Sequence, residues 1–351
     1  MFRCRRPENW ARKTMSEYQY YEFRAVDRPL GEGDRKALRA LSTRANITAT
    51  SFSNHYEWGD FKGDPARLME KWFDLHLYLS NWGTRRLMIR WPERLVDRQA
   101  LAACLGDVDG VRQRVVGGNL ILDILVEEVE GEAWDDGSES LAAMAPLRAD
   151  VLGGDLRVFY LLWLTAVEGD AVELGDPEPL PGLGPLTGPL EAFVDFFGID
   201  PDLAAAAAER PFRPVADEPD LARSVVAGME GAARTVADLR VRAEAIRIAR
   251  EREKIARLEA EAERQAKAAE RGRRARLDSI RRRGEAVWTQ AEAEIERRNG
   301  AAYARAAALL HDLGAIAEQD GSTAHFKARL QKIRTRHAAK TRFIERLQAL
   351  G

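Results

Sequence analysis

Proline is absent from residues 220–351, because all 14 prolines lie in the first 219 residues. A proline costs about 3 kcal/mol in a helix interior, so its absence permits one very long helix. Residues 236–298 are nearly all Ala, Arg, Glu, Leu, Ile and Lys, which mostly favour helix. Opposite charges four residues apart, such as Glu263 and Lys267, recur there and contribute about 0.2–0.5 kcal/mol per pair. The sequence therefore predicts a long charged helix over residues 216–299.

Cysteine is nearly absent as well, since Cys4 and Cys104 are the whole complement. Two such distant cysteines do not predict a domain held together by disulfides. The most apolar run, Val158–Val167, is too short to span a bilayer and is predicted to be a buried helix. The first residues lack the apolar stretch of a signal peptide. We expect a disordered leader over residues 1–14, a translation start at Met15 and a cytoplasmic protein.

Catalytic and metal-binding motifs are missing too. The sequence contains no P-loop, no nucleophile elbow, no zincin motif, and no CxxC or HxxxH spacing. His55 and Glu57 lie in the loop 54–65. This loop is either a structured polar loop without a catalytic role, or it supplies a histidine and carboxylates that act as a general base or as half of a metal site. His76 is interpreted as a hydrogen-bonded residue of an apolar helical face. The sequence predicts a non-enzymatic protein with no cofactor and no metal.

The pattern of apolar residues changes twice along the chain. Tyrosine-rich residues 17–26 predict a strand, residues 66–80 predict a helix, and residues 111–126 predict a β-hairpin. This predicts an α+β N-terminal domain, then an all-α segment, then a long charged helix (a coiled coil or helical hairpin) with a short helical tail. The predicted boundaries are 15–130 for the sheet domain, 138–215 for the helical subdomain, 216–299 for the long helix and 300–351 for a helical tail packing back.

Two arrangements of the long helix fit its apolar residues. A weak coiled-coil seam is formed by Leu239, Ile246, Ile248, Ile255, Leu258, Ala262, Ala266 and Ala269, and it resumes at Leu277, Ile280 and Val287. A strong coiled coil needs large apolar side chains at both seam positions, whereas residues 259–276 offer mainly alanine together with Gly272. The helix is therefore either a loose coiled coil or hairpin with a weak middle, or a charged helix that stands partly alone in solvent.

The net charge of −2 hides an asymmetry. Residues 1–236 carry 27 basic and 39 acidic side chains, whereas residues 237–351 carry 27 basic and 17 acidic ones. A basic arm on an acidic body indicates that the arm meets nucleic acid, an acidic protein or the body of another copy. The candidate residues for binding an anion or partner on this arm are Arg273, Arg274, Arg281, Arg282, Lys332, Arg334 and Arg336.

Arg85 and Arg86 are the candidate binding residues of the N-terminal domain. They follow a tight turn into a strand, where two guanidinium groups beside backbone amides can hold a phosphate or carboxylate. The alternative is that they pair with acidic neighbours such as Asp123 and Glu127. An aromatic and basic sheet face carrying residues such as Tyr20 would also be suited to stacking bases.

Several strings resemble a family of bacterial proteins that has no established activity. They are YQYYEF at 18–23, EWGDFKGDP at 57–65, NWGTRRLM at 81–88, PLRADVLGGDLRVFYLLWL at 146–164 and HFKARLQKIRTRHAAKTRFIERLQ at 325–348. The resemblance implies a bacterial origin, a cytosolic location and the translation start given above. It supplies no catalytic residues to carry over.

Charge and helix pattern together favour an interaction protein. The leading hypothesis is a non-enzymatic bacterial assembly protein, in which a basic helical arm on an acidic globular body mediates association with a protein partner or with itself. The alternative is a nucleic-acid-binding accessory protein that places the arm on phosphates. An enzyme of unknown type is the third hypothesis.

Overall fold

The computed structural model describes residues 17–105, 108–127, 129, 137–180, 182–212 and 234–347. The expected leader and the first residues of the predicted long helix lie outside these ranges. The chain divides into an N-terminal unit, residues 1–250, and a C-terminal unit, residues 251–351. The α+β fold of the first region and the helical nature of the region after it are confirmed.

The N-terminal unit is built on a seven-stranded antiparallel sheet with the order β2-β3-β1-β4-β5-β7-β6. Its strands are β1 (Gln19–Arg24), β2 (Asn46–Ile47), β3 (Ser51–Tyr56), β4 (Leu75–Ser80), β5 (Arg85–Pro92), β6 (Val111–Val116) and β7 (Asn119–Val126). The predicted hairpin is confirmed as β6 and β7. Gly117 and Gly118 both have positive φ at its turn, a conformation that glycine adopts at little cost.

The helices that precede the long one are short. They are α1 (Glu32–Leu41), α2 (Pro65–Lys71), α3 (Arg98–Leu105), α4 (Ser140–Met144), α5 (Leu147–Leu152), α6 (Arg157–Glu168), α7 (Gly188–Phe197) and α8 (Pro201–Ala208). Two of them start with an aspartate followed by proline. Asp64 accepts a hydrogen bond from the Ala66 amide at 2.9 Å, and Asp200 accepts one from the Asp202 amide at 2.7 Å. A side-chain cap followed by proline at the first helical position fixes where a helix begins.

Alternate residues of the central strands contribute to two hydrophobic cores on opposite faces of the sheet. Leu75, Leu77 and Leu79 of β4 belong to the larger core, together with Trp91 and side chains from α3 to α8. Helix α6 lies at its centre, with 10 of its 12 residues buried. The sheet and the helical layer therefore share one hydrophobic core.

The opposite face of the sheet carries a smaller aromatic core. Phe23, Phe52 and Phe73 pack there with Met69 of α2, and all four side chains are fully buried. The ring centroids of Phe23 and Phe52 lie 5.7 Å apart in an edge-on arrangement that adds to burial.

The prediction of one helix over residues 66–80 is wrong. Helix α2 ends at Lys71, and β4 begins at Leu75. His76 therefore lies in a strand, with its Nδ1 3.0 Å from the carbonyl oxygen of Glu22. Its role as a buried, hydrogen-bonded core residue is confirmed, although its secondary structure was wrongly predicted.

The C-terminal unit is helical throughout its described residues. Helix α9 (Val236–Arg283) begins in the N-terminal unit and is followed by α10 (Glu285–Glu296), α11 (Gly300–Gln319), α12 (Thr323–Arg336) and α13 (Thr341–Arg346). The long helix ends earlier than residue 299, because Gly284 has a φ of +53° and interrupts it. Trp288, Tyr303, Phe326 and Phe343 form the core of this unit. Within the described parts of the chain, no helix combines the length and apolarity needed to cross a membrane.

Candidate functional site

Helix α9 is firmly anchored at its first turns. Thr235 and Asp238 form a reciprocal cap, in which the Thr235 amide donates to the Asp238 carboxylate at 3.0 Å. Val236, Leu239 and Ala243 are buried in the larger core of the N-terminal unit. The sequence placed Leu239 in a coiled-coil seam, but the structure uses it to dock the helix on the body.

A buried carboxylate strengthens this anchor. The Glu178 side chain is 2% exposed and accepts hydrogen bonds from Arg234 at 2.9 and 2.5 Å. The Tyr160 hydroxyl donates to the same carboxylate, and Arg210 approaches it at 3.2 Å. The backbone adds a bridge between Pro177 and Thr235. Since Tyr160 belongs to α6, this cluster ties the start of α9 to the most buried helix of the unit.

The middle of α9 is exposed on every side. From Arg247 to Arg276, a length of about 45 Å at 1.5 Å per residue, no side chain is buried. A β-carbon added at Gly272 would have no atom within 4 Å. No described part of the chain supplies a hairpin partner for this stretch. Of the two arrangements predicted, the described residues show a charged helix exposed to solvent and do not show a coiled coil.

Large apolar side chains nevertheless follow one side of this exposed helix. Val241 is 72% exposed, Ile248 43%, Ile255 48% and Leu258 57%. The first three lie seven residues apart, so they share one face of the helix, and Ala262 and Ala269 continue the spacing. We call these six residues the outer stripe. Val241 was not predicted from the sequence to belong to this row, although its distance of seven residues from Ile248 is a usable signal.

Many arginines of the basic arm are engaged within the C-terminal unit. Arg276 forms an ion pair with Asp312 at 2.6 Å, and Arg281 forms one with Asp320 at 3.0 Å. Arg334 donates to the carbonyl oxygen of Leu347 at 2.7 Å. Arg336 approaches Glu292 at 3.5 Å. The predicted binding residues Arg281, Arg334 and Arg336 therefore already have partners within the C-terminal unit, and these contacts help to stabilise it.

A second set of basic residues has no acidic partner among the described residues. Arg271, Arg273 and Arg274 form no ion pair there, nor does Lys332. Arg282 contacts only the carbonyl oxygen of Asp278, at 3.4 Å. All of them are exposed, so this set is available to an external anion.

The structure separates Arg85 from Arg86, because neighbouring strand residues point to opposite faces of a sheet. Arg86 makes a two-pronged ion pair with Asp123, at 2.7 Å for each hydrogen bond. That pairing confirms the structural alternative for Arg86. Arg85 donates to the carbonyl oxygen of Ser80 at 3.1 Å and lies 5.7 Å from the ring centroid of Phe196.

His55 and Glu57 do not form a metal-binding cluster with other described residues. No group of three or more His, Cys, Asp or Glu side chains that could hold a metal ion occurs in the part of the chain described. His55 lies exposed on β3, beside the ring of Tyr18 at 6.3 Å. Burial raises the pKa of the Cys104 thiol to about 12, which leaves it protonated and unreactive at neutral pH.

Comparison with known proteins yields no relative. None of the family models, curated proteins or solved structures compared with the chain matches it. The function is therefore inferred from the geometry and chemistry of the chain itself.

Proposed function

We propose that this protein is a non-enzymatic assembly protein that pairs with a second copy of itself along the outer stripe of α9. The exposed apolar stripe is the observation that carries the proposal. Burying a side chain of the size of Ile255 or Leu258 stabilises an interface by about 1.5–3 kcal/mol. A firmly anchored helix presents that stripe already ordered, so pairing costs little conformational entropy.

The opposite charges of the two units favour a second copy as the partner. Residues 1–250 carry 31 basic and 41 acidic side chains, whereas residues 251–351 carry 23 basic and 15 acidic ones. Each unit of one copy is therefore attracted by the oppositely charged unit of another copy. Because one chain carries an acidic unit and a basic unit, a second copy of the same chain offers a complementary charge to each of them.

Charge also favours an antiparallel arrangement of the paired helices. Residues 271–283 contain seven arginines and one aspartate, Asp278. A parallel pair would place two such blocks side by side, and the like charges would repel each other. An antiparallel pair puts the blocks at opposite ends, where each faces the less basic beginning of the partner helix.

We expect the double variant Ile255→Glu/Leu258→Glu to raise the dissociation constant of the dimer at least tenfold. The variant removes two apolar side chains per copy from the interface and brings four carboxylates into the dimer. A loss of only about 1.4 kcal/mol of binding free energy already raises the dissociation constant tenfold. Sedimentation velocity over a concentration series measures the change. The fold should persist, since both residues are more than 40% exposed.

The matched control is Ala249→Glu/Ala256→Glu. Both alanines are exposed, and helix periodicity places each about 100° from the stripe residue before it and about 160–180° from Leu258. This variant adds the same charge to the same helix and should self-associate as the parent does. A parent that stays monomeric at all concentrations, or two variants with equal effects, would contradict the proposal.

Nucleic-acid binding is a second candidate function, favoured by the unpaired Arg271, Arg273 and Arg274. We expect replacement of all three by glutamine to reduce the slope of log affinity against log salt by about 2 to 3, because each phosphate contact contributes about 0.7 to 0.9. Fluorescence anisotropy with a duplex over a salt series measures the slope. The control Arg28→Gln/Arg35→Gln/Lys36→Gln removes three exposed charges from the N-terminal unit. Equal slopes in both variants would rule out the arm as the binding surface.

A further inference from the structure

A pocket of about 360 Å³ opens beside the outer edge of β3. It exists because β2 pairs with β3 only through Asn46 and Ile47, opposite Ser53 and Phe52. Arg44 lies before β2, outside this strand pairing, and the gap lined by Arg44 and the end of β3 remains open. We call this gap the edge pocket. Its size falls within the range of pockets for small ligands, about 300–1,000 Å³.

The edge pocket is bounded by an unusually exposed tryptophan. Trp58 lines the pocket and is 70% exposed. The guanidinium carbon of Arg44 lies 5.5 Å from the centroid of the Trp58 ring. Such a contact holds a cation and an aromatic plane together at the surface. Trp58 therefore provides a flat surface for stacking, and Arg44 provides a positive charge beside it.

The remaining groups of the edge pocket offer hydrogen bonds. Arg44 forms no ion pair with any described residue, so its N–H groups are available to an external anion. Asn46 and His55 line the pocket, are exposed, and carry amide and imidazole groups that can bond to the edge of a planar ring. Glu57 is the acidic lining residue and restricts where a negative charge can sit.

We propose that the edge pocket binds a nucleotide, with its base stacked on Trp58 and its phosphate held by Arg44. A base has a flat face for the indole and polar edges for the amide of Asn46, and its phosphate meets the guanidinium. The nucleotide is either a free one or an unpaired position in a single strand. The site is separate from α9, and it does not depend on self-association.

The test uses the full chain with Arg271, Arg273 and Arg274 replaced by glutamine, so that the arm does not mask binding. Fluorescein-labelled ten-residue oligo(dT) and oligo(U) report a single strand by anisotropy, while isothermal titration calorimetry with AMP and UMP reports a free nucleotide directly. We expect Trp58→Ala to weaken binding of the responding probe about tenfold or more, because stacking is a main source of such affinity. Arg44→Gln should weaken binding and flatten its salt dependence.

The control is Trp82→Ala, since Trp82 is also exposed, at 49%, but does not line the edge pocket. It should bind the probes as the parent does, and Trp58→Phe should retain most of the affinity. The proposal is overturned if neither probe binds at millimolar concentration, or if Trp58→Ala and Trp82→Ala bind equally well. It is also overturned if a polyglutamate peptide, and no nucleotide probe, binds in a Trp58-dependent way.

Discussion

Replacing Glu178 with alanine is expected to lower the free energy of unfolding of this protein by about 3–5 kcal/mol, the usual loss when one partner of a buried ion pair is removed. The Arg234 side chain is only 10% exposed and would keep its charge without a carboxylate. Its other partners are the carbonyl oxygens of Ala206 and Ala207, which cannot neutralise it. The Tyr160 hydroxyl would lose its acceptor as well.

Urea denaturation followed by intrinsic fluorescence measures this loss. Glu173→Ala is the matched control, because Glu173 is exposed, lies in the same connecting segment and contacts Asp176 only through its backbone amide and carbonyl groups. We expect the control to change stability by less than about 0.5 kcal/mol. A loss below about 1 kcal/mol for Glu178→Ala would show that the cluster does not anchor α9.

Acidification from pH 6.5 to pH 5 is expected to cost about 2 kcal/mol of stability through His76 alone. Burial lowers the pKa of His76 from 6.5 to about 3. Between those values the unfolded chain takes up a proton and the folded chain does not, so stability falls as pH falls. The loss is about 1.4 kcal/mol per pH unit in this window. His76 Nε2 has no hydrogen-bond partner among the described residues, so none of them would compensate a proton on this nitrogen.

The variant His76→Asn isolates this effect, because asparagine does not titrate and can still donate to the Glu22 carbonyl oxygen. Its stability at pH 7 should be lower than that of the parent, since the smaller side chain leaves a cavity beside Phe23. Between pH 6.5 and 5, the free energy of unfolding of the variant should fall less steeply than that of the parent. The two slopes should differ by up to about 1.4 kcal/mol per pH unit. The exposed His55→Asn serves as the control. Parallel pH curves for parent and His76→Asn would refute the assignment.

Local patterns in the sequence predicted most of the fold where a single pattern dominated. The hairpin of β6 and β7 follows from alternation around two glycines, and the long helix follows from the lack of proline. Residues 66–80 were harder, since Met69, Trp72 and Phe73 fit helical spacing while Leu75, Leu77 and Leu79 alternate as in a strand. The two patterns overlap there. Trp72 and Phe73 are buried in the aromatic core although the helix ends at Lys71, so their burial does not indicate that the helix continues.

The candidate sites were less predictable, because they depend on contacts between distant residues. Arg276 and Asp312 are 36 residues apart, and no local signal shows that they pair. The sequence therefore could not separate engaged arginines from the exposed Arg273 and Arg274. The edge pocket likewise depends on where β2 stops pairing with β3, which no residue type specifies. The predictions of cytoplasmic location and of a protein partner remain predictions.

The outer strands of the sheet have a bearing on aggregation. An edge strand with unpaired amide and carbonyl groups can recruit the edge of another molecule, and the risk grows when copies are held close together. The outermost strand β6 carries Arg112, which is exposed, and Arg114, which reaches Glu70 at 2.7 Å. At the other edge, β2 has only two residues. Charge on one edge and the shortness of the strand at the other oppose the growth of an intermolecular sheet. Copies paired through α9, as proposed, would therefore remain folded as separate bodies.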